Sequence, residues 1–335
     1  EADIIDGSEY FNTVLYSGNG GTQNITTVGF QPDWVWNKRR DGAASHVIYD
    51  SVRGTGNEIG SNNNAAEATG VSGVTAFLSN GYSLGNNGNI NDSGETYASW
   101  NWLAGGSAVS NTDGTITSSV SANPEAGVSI MAYTGNGSSS QTVGHGLGAV
   151  SSPSMLIVKN RDQNDNWIVR TNATGEDKFL FLDDVSSGGT SSVALPTTDV
   201  IGLGSSGYDN ASGEDYVAYL FSNVDGFSKC GSYSGNGNAN GTFIFTGFRP
   251  AWVMIKRTDA SADWWVLDNK RNSSNVVDLR LRPNSASAEE GPDATFDFVA
   301  SGLKIRGNYS TLNNSSGTYI YLAIGEQAGK YSNAR

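Results

Sequence analysis

Apolar residues in this chain fall in short runs bounded by Gly, Asn, Asp and Ser, the pattern of strands separated by tight turns. Three runs carry apolar letters on both faces: "SGETYASWNW" (Ser93–Trp102), "SGEDYVAYLF" (Ser212–Phe221) and "SGTYIYLAI" (Ser316–Ile324). A strand with no polar face predicts a central place in a sheet covered on both sides. A second set aligns without a gap: "QPDWVWNKRRD" (Gln31–Asp41), "SPSMLIVKNRD" (Ser152–Asp162) and "RPAWVMIKRTD" (Arg249–Asp259). Pro32, Pro153 and Pro250 each open a strand there, where a missing N–H does least harm. Lys38, Lys159 and Lys256, then Asp41, Asp162 and Asp259, are expected where the polar turn begins. A second strand follows in "HVIYD" (His46–Asp50), "WIVR" (Trp167–Arg170) and "WWVLD" (Trp264–Asp268), completing a hairpin in each case.

The sets recur together, and each is preceded by nearly the same five letters: "YSGNG" (Tyr16–Gly20), "YTGNG" (Tyr133–Gly137) and "YSGNG" (Tyr233–Gly237). The spacing is roughly one hundred residues, the size of a small domain rather than of a solenoid unit. Asp6-Gly7, Asp113-Gly114 and Asp225-Gly226 open the copies. Three domains are therefore expected, over residues 1–106, 107–222 and 223–335, each able to fold by itself. Gly105–Gly114 reads as the first linker and Phe221–Gly226 as a tighter second junction. Asn-Gly supplies the positive φ of a type I′ hairpin turn, which gives the repeated letters a geometric role. A phosphate-binding glycine loop needs a helix start and usually a Lys directly after it, whereas strand residues follow each time.

Composition agrees with an all-β chain: 43 Gly and only 16% charged residues leave few of the Ala, Leu, Glu and Lys runs that build helices. A net charge of −13 and a pI near 4.5 repel nucleic acid, so no such partner is expected. The longest apolar runs, such as "YVAYLF" (Tyr216–Phe221), fall far short of the about 18 residues of a membrane helix, and no membrane insertion is expected. Glu1 in place of Met reads as a processed or excised beginning. The single Cys230 permits no internal disulfide.

Together, "YSGNG", "TGFRPAWVMIKRTD" (Thr246–Asp259), "SGETYASWNW", "SNTDGTITSSVSAN" (Ser110–Asn123) and the terminal "KYSNAR" (Lys330–Arg335) carry a resemblance. The chain resembles, over nearly its whole length, a repeat-containing family of uncharacterised proteins of marine tailed bacteriophages, labelled tail-fibre or virion-associated. That resemblance implies a virion or extracellular setting and three tandem repeats of a small β-sandwich of the lectin or jelly-roll type. It names no ligand and carries no catalytic residue.

Chemistry is sparse in the letters. A Ser-His-Asp triad needs a histidine, and His46 and His145, the two present, do not recur across the copies. Both read as surface or turn residues, and Cys230 as a small buried residue rather than a thiolate nucleophile. Thirty-three Asp and Glu leave a glycosidase pair open, yet "DD" (Asp183, Asp184) and "EE" (Glu289, Glu290) occur in one copy each. No catalytic residue and no His/Cys metal site is expected. Calcium stays open at "DQNDN" (Asp162–Asn166), which offers oxygen ligands without EF-hand spacing. Asp50 with Arg53, and Asp268 with Arg271, read as solvent-side ion pairs without function.

Of eight tryptophans, Trp34, Trp36, Trp252, Trp100 and Trp102 read as core. Trp264, aligned with His46 and Asn166, is expected to point outward, either to stack on a sugar ring or to be covered by a neighbouring domain or subunit. The resulting expectation is a non-enzymatic structural component of a phage virion, in a tail fibre or surface appendage, contacting other subunits or copies of itself and host-surface glycans. A carbohydrate-binding module and a secreted, filament-forming bacterial surface protein are the alternatives.

Overall fold

The computed structural model describes residues 4, 6–175, 177–291 and 296–325. Within them the chain is all-β, with six antiparallel sheets and almost no helix; the two α-helices, Gly88–Asn91 and Ser310–Asn313, have four residues each. The three doubly apolar runs form strands Thr96–Trp102, Asp215–Phe221 and Thr318–Gly325. Each lies inside a large sheet, as a strand without a polar face requires. On one side of it runs an opening strand (Phe11–Ser17, Val128–Thr134 or Ser228–Ser234) and on the other a hairpin strand (Trp34–Arg39, Met155–Asn160 or Pro250–Arg257). The second hairpin strand (Val47–Asp50, Ile168–Thr171 or Trp265–Asp268) follows, so one strand order recurs in sheets of five, eight and four strands. The middle sheet gains two strands beyond its opening strand. One of them, Val109–Asn111, lies within the stretch read as a linker and pairs with Ser118–Asn123.

Each large sheet buries one face against a small sheet of its own segment. Val14, Val35, Tyr49, Tyr82 and Leu84 fill that layer in the first segment, Leu156, Val158, Ile201 and Leu203 in the second, and Val253, Ile255, Phe298 and Leu303 in the third. The period of two sends alternate residues to the opposite face. There, Trp34, Trp36, Trp100 and Trp102 meet Ile157, Trp167, Tyr219 and Phe221 and also Trp252, Trp264, Ile320 and Leu322 in one common core. Rings touch across segments, Trp34 on Tyr219 at 4.6 Å and Trp102 on Trp252 at 5.4 Å between centroids. An indole buries about 150–250 Å². At about 25 cal/mol per Å², each contributes about 4–6 kcal/mol of gross transfer free energy. The three segments therefore close around a shared hydrophobic centre.

The five repeated letters do not make the expected type I′ hairpin. Their strands pair with the closing strands, whereas the residues that follow enter the small sheets, so the Gly-Asn-Gly carries the chain from one layer to the other. The first glycine passes against backbone: a Cβ on Gly18, Gly135 or Gly235 would lie 2.1, 2.3 or 2.2 Å from a carbonyl oxygen. The last has φ of +72°, +73° and +65° at Gly20, Gly137 and Gly237. A buried asparagine unnoticed in the sequence, Asn91, Asn210 or Asn313, accepts the middle residue's N–H at 2.9–3.0 Å and donates its amide to surrounding carbonyls. The tyrosine donates its hydroxyl to the carbonyl of Ile90, Asp209 or Leu312 at 2.8 Å and stacks on Tyr97, Tyr216 or Tyr319.

The ion pairs placed at the surface by sequence are buried at the seams between segments. Arg53 meets Asp50 at 2.5 Å and Arg271 meets Asp268 at 2.6 Å, all four side chains 0% exposed. The closing strand of another segment supplies a donor to each carboxylate, Tyr219 to Asp50 at 2.7 Å and Trp100 to Asp268 at 3.0 Å. Glu67 then bridges Arg53 and Arg161, and Glu289 bridges Arg271 and Arg40. At the third seam the corresponding positions hold Thr171, Leu322 and Thr258, which cannot form such a pair. Breaking a buried pair on one side strands a charge and costs about 3–5 kcal/mol, while replacing both sides costs far less. Arg271→Met is accordingly expected to lower the urea midpoint sharply, and Asp268→Thr/Arg271→Met to recover most of the loss; equal midpoints for Arg271→Met and wild type would contradict the seam.

Candidate functional site

Trp264 is not at the surface. It is 0% exposed, and its indole N–H donates to the carbonyl of Phe181 in the second segment at 2.7 Å. It faces away from its own small sheet and is covered by a neighbouring segment, the second of the two outcomes expected for it; only the alignment with Asn166 was off by one residue, which in a strand exchanges the two faces. The pairing of Trp34 with Asp50, Met155 with Thr171 and Trp252 with Asp268 sets Trp264 level with Trp167 and His46, not Asn166. Trp167 donates to Gly60 of the first segment at 2.8 Å, and the backbone of Arg282 in the third faces His46. Trp264 thus ties the third segment to the second and Trp167 the second to the first, while His46 occupies the equivalent place at the remaining seam.

The other singled-out residues are also committed to structure. His46 is buried rather than at the surface, accepts the Trp36 indole N–H on Nδ1 at 3.1 Å, and has its pKa held well below the usual value by burial and by Lys38. His145 is buried too, its Nδ1 accepting the Leu147 N–H at 3.1 Å and burial lowering its pKa. Burial pushes the Cys230 thiol up to about 12. Within "DQNDN", Asp162 accepts the Asp215 N–H at 2.6 Å and Asp165 accepts the Asn160 amide at 3.0 Å. Asp183 caps the Trp167 N–H at 3.0 Å, with its pKa raised to about 6 by burial, and Glu290 pairs with Arg280 at 2.7 Å. No group of three His, Cys, Asp or Glu side chains could hold a metal ion among the described residues.

One part of the second segment departs from the triplicate pattern. The small sheets of the first and third segments have three strands, while that of the second has two, Gln141–Gly144 and Val200–Leu203. Between Gly189–Thr190 and Val200 the chain runs without a strand, leaving an open groove of about 790 Å³. Phe179 and Tyr208 line it, with Thr190, Ser192 and Ser205 around them and Arg170 below. Phe181 lies between the two aromatics, 5.7 Å from Phe179 and 5.5 Å from Tyr208. Arg170 is 1% exposed, donates from Nη1 to the Gly202 carbonyl at 2.9 Å and pairs with Asp209. Asp209 also accepts the Gly204 N–H at 2.7 Å and the Ser206 hydroxyl at 2.9 Å. The buried Arg170 Nε has no hydrogen-bond partner. Strand register sets Tyr49 and Leu267 at the place of Arg170. An arginine closing "WIVR" where the other copies have Tyr and Leu was the available signal.

Lys38, Lys159 and Lys256 do not begin an exposed turn; all three are 0% exposed. They project toward the seams, where Lys38 donates to the carbonyls of Arg39 (2.7 Å) and Ala286 (3.3 Å), Lys159 to Asn160 and Gln163, and Lys256 to Val185 (2.8 Å) and Ala262. Burial lowers each pKa from 10.5 to about 8. Above pH 8 the unfolded chain binds more protons at these sites than the folded one, so stability rises with pH. From about pH 9 upward the Cys230 thiol, and then buried tyrosines with raised pKa values such as Tyr16 and Tyr133, work in the opposite direction. The urea midpoint is expected to climb from pH 8 to pH 9, with a smaller slope in Lys256→Met; a flat or falling midpoint in wild type over that range would contradict the burial of charged lysines.

Compared with known proteins, the chain matches a family described as a domain of unknown function, DUF7483, over residues 6–328. No curated protein matches it. With nearly all of its length matched, the chain belongs to the DUF7483 family.

Proposed function

We propose that this chain is a non-enzymatic structural component of a phage virion, part of a tail fibre or surface appendage, that contacts other virion subunits or copies of itself and host-surface glycans. In this reading the three segments are repeats of one β-sandwich unit, each a large and a small sheet, joined back to back. The observation that carries it is the use of the recurring residues. The Tyr-Gly-Asn-Gly crossovers, the buried asparagines and the seam lysines are all engaged by neighbouring backbone, which favours a role in rigidity over reactivity. The acidic groups singled out are likewise held in ion pairs or N–H caps rather than converging on an open cleft. An acidic surface with few charges resists nonspecific adhesion, as an exposed appendage must.

The second reading, a carbohydrate-binding module, is favoured by the groove of the middle segment, and the two readings join if the appendage grips glycans there. Immunogold labelling of intact particles with antibody to this chain tests the virion assignment. Label on the tail or particle surface is expected; label confined to free filaments or absent from particles would overturn it.

A further inference from the structure

We infer that the groove of the middle segment is a binding site for a neutral oligosaccharide. The inference rests on the glycan-contact part of the proposed function and assigns that contact a place. Its volume of about 790 Å³ lies within the range of small-ligand sites, and it exists because this segment's small sheet lacks a third strand. Absent in the other segments is Phe179 of its aromatic wall as well: strand register sets Glu58 of the first segment and Arg280 of the third at that place.

The lining selects the ligand class. Phe179 and Tyr208 offer ring surface to the apolar C–H face of a sugar. The hydroxyls of Thr190, Ser192 and Ser205 both donate and accept, which suits a ligand that does the same. Arg170 is the one charged residue on the lining, and Asp209 neutralises it, so the site offers an anionic ligand no net attraction.

A peptide fits less well. An added strand needs the outward carbonyls of Val200–Leu203, yet Gly202 accepts from Arg170 at 2.9 Å and Val200 from the Thr197 N–H at 2.9 Å. Nucleic acid is opposed by the net charge of −13.

The test is an array of neutral and acidic oligosaccharides probed with the full chain, followed by calorimetric titration of the best ligand against wild type, Phe179→Ala and Ser192→Trp. Ser192 is exposed, so the tryptophan fills the groove without disturbing the core, and thermal melting verifies that both variants stay folded. Retention of neutral saccharides is expected, weakened at least tenfold in both variants with melting unchanged. Binding that survives in both variants would overturn the groove while leaving glycan contact elsewhere on the chain intact. A blank array, or a preference for acidic saccharides or extended peptides, would overturn the inference, and a blank array would remove glycan contact from the proposed function as well.

Discussion

A strand that is apolar on both faces has no side to turn toward water, and this chain contains three of them. One small sheet per segment covers one face only. The remaining three faces, rich in tryptophan, find cover in one another, and that mutual burial is the constraint from which the rest of the architecture follows. Of the polar groups brought to the seams by this closure, the charged ones find partners there, while the indole N–H groups of Trp34, Trp102 and Trp252 have none. Carboxylates accept from Tyr219 and Trp100 of another segment, and lysines donate to carbonyls instead of reaching solvent.

The closure also explains the pattern of recurrence. What repeats in all three segments, besides the seam lysines, is what each needs to pass its chain between layers: a glycine against backbone, a glycine at positive φ, and a buried asparagine holding the turn. What varies lies at the seams and in the small sheets. Two seams are polar and one has Thr171, Leu322 and Thr258, an arrangement that distinguishes one neighbour from the other and disfavours misassembly. The middle small sheet, by losing a strand, exposes a groove that the other two close.

The all-β class, the central closing strands and the hairpins were legible because the period-two pattern and the gapless alignment report local pairing directly. The shared core was not. Letters such as Trp34 and Trp252 announce burial without saying against what, and charged letters such as Lys38 and Arg53 announce solvent unless their partners are known. Trp264 shows how thin the margin is, since its letter left open whether a sugar or a neighbouring segment covers the ring, and only the contact with Phe181 decides. The groove was hidden because its signal was an omission, a strand that fails to form between Gly189–Thr190 and Val200, together with a single arginine out of pattern at Arg170.

The central claim is that one core holds the three segments as a single cooperative body. Scanning calorimetry of the full chain tests it most directly, by comparing the van't Hoff enthalpy with the calorimetric one. A single transition with equal enthalpies is the predicted result. Two or more separable transitions, with residues 107–222 alone melting as they do within the whole chain, would contradict it.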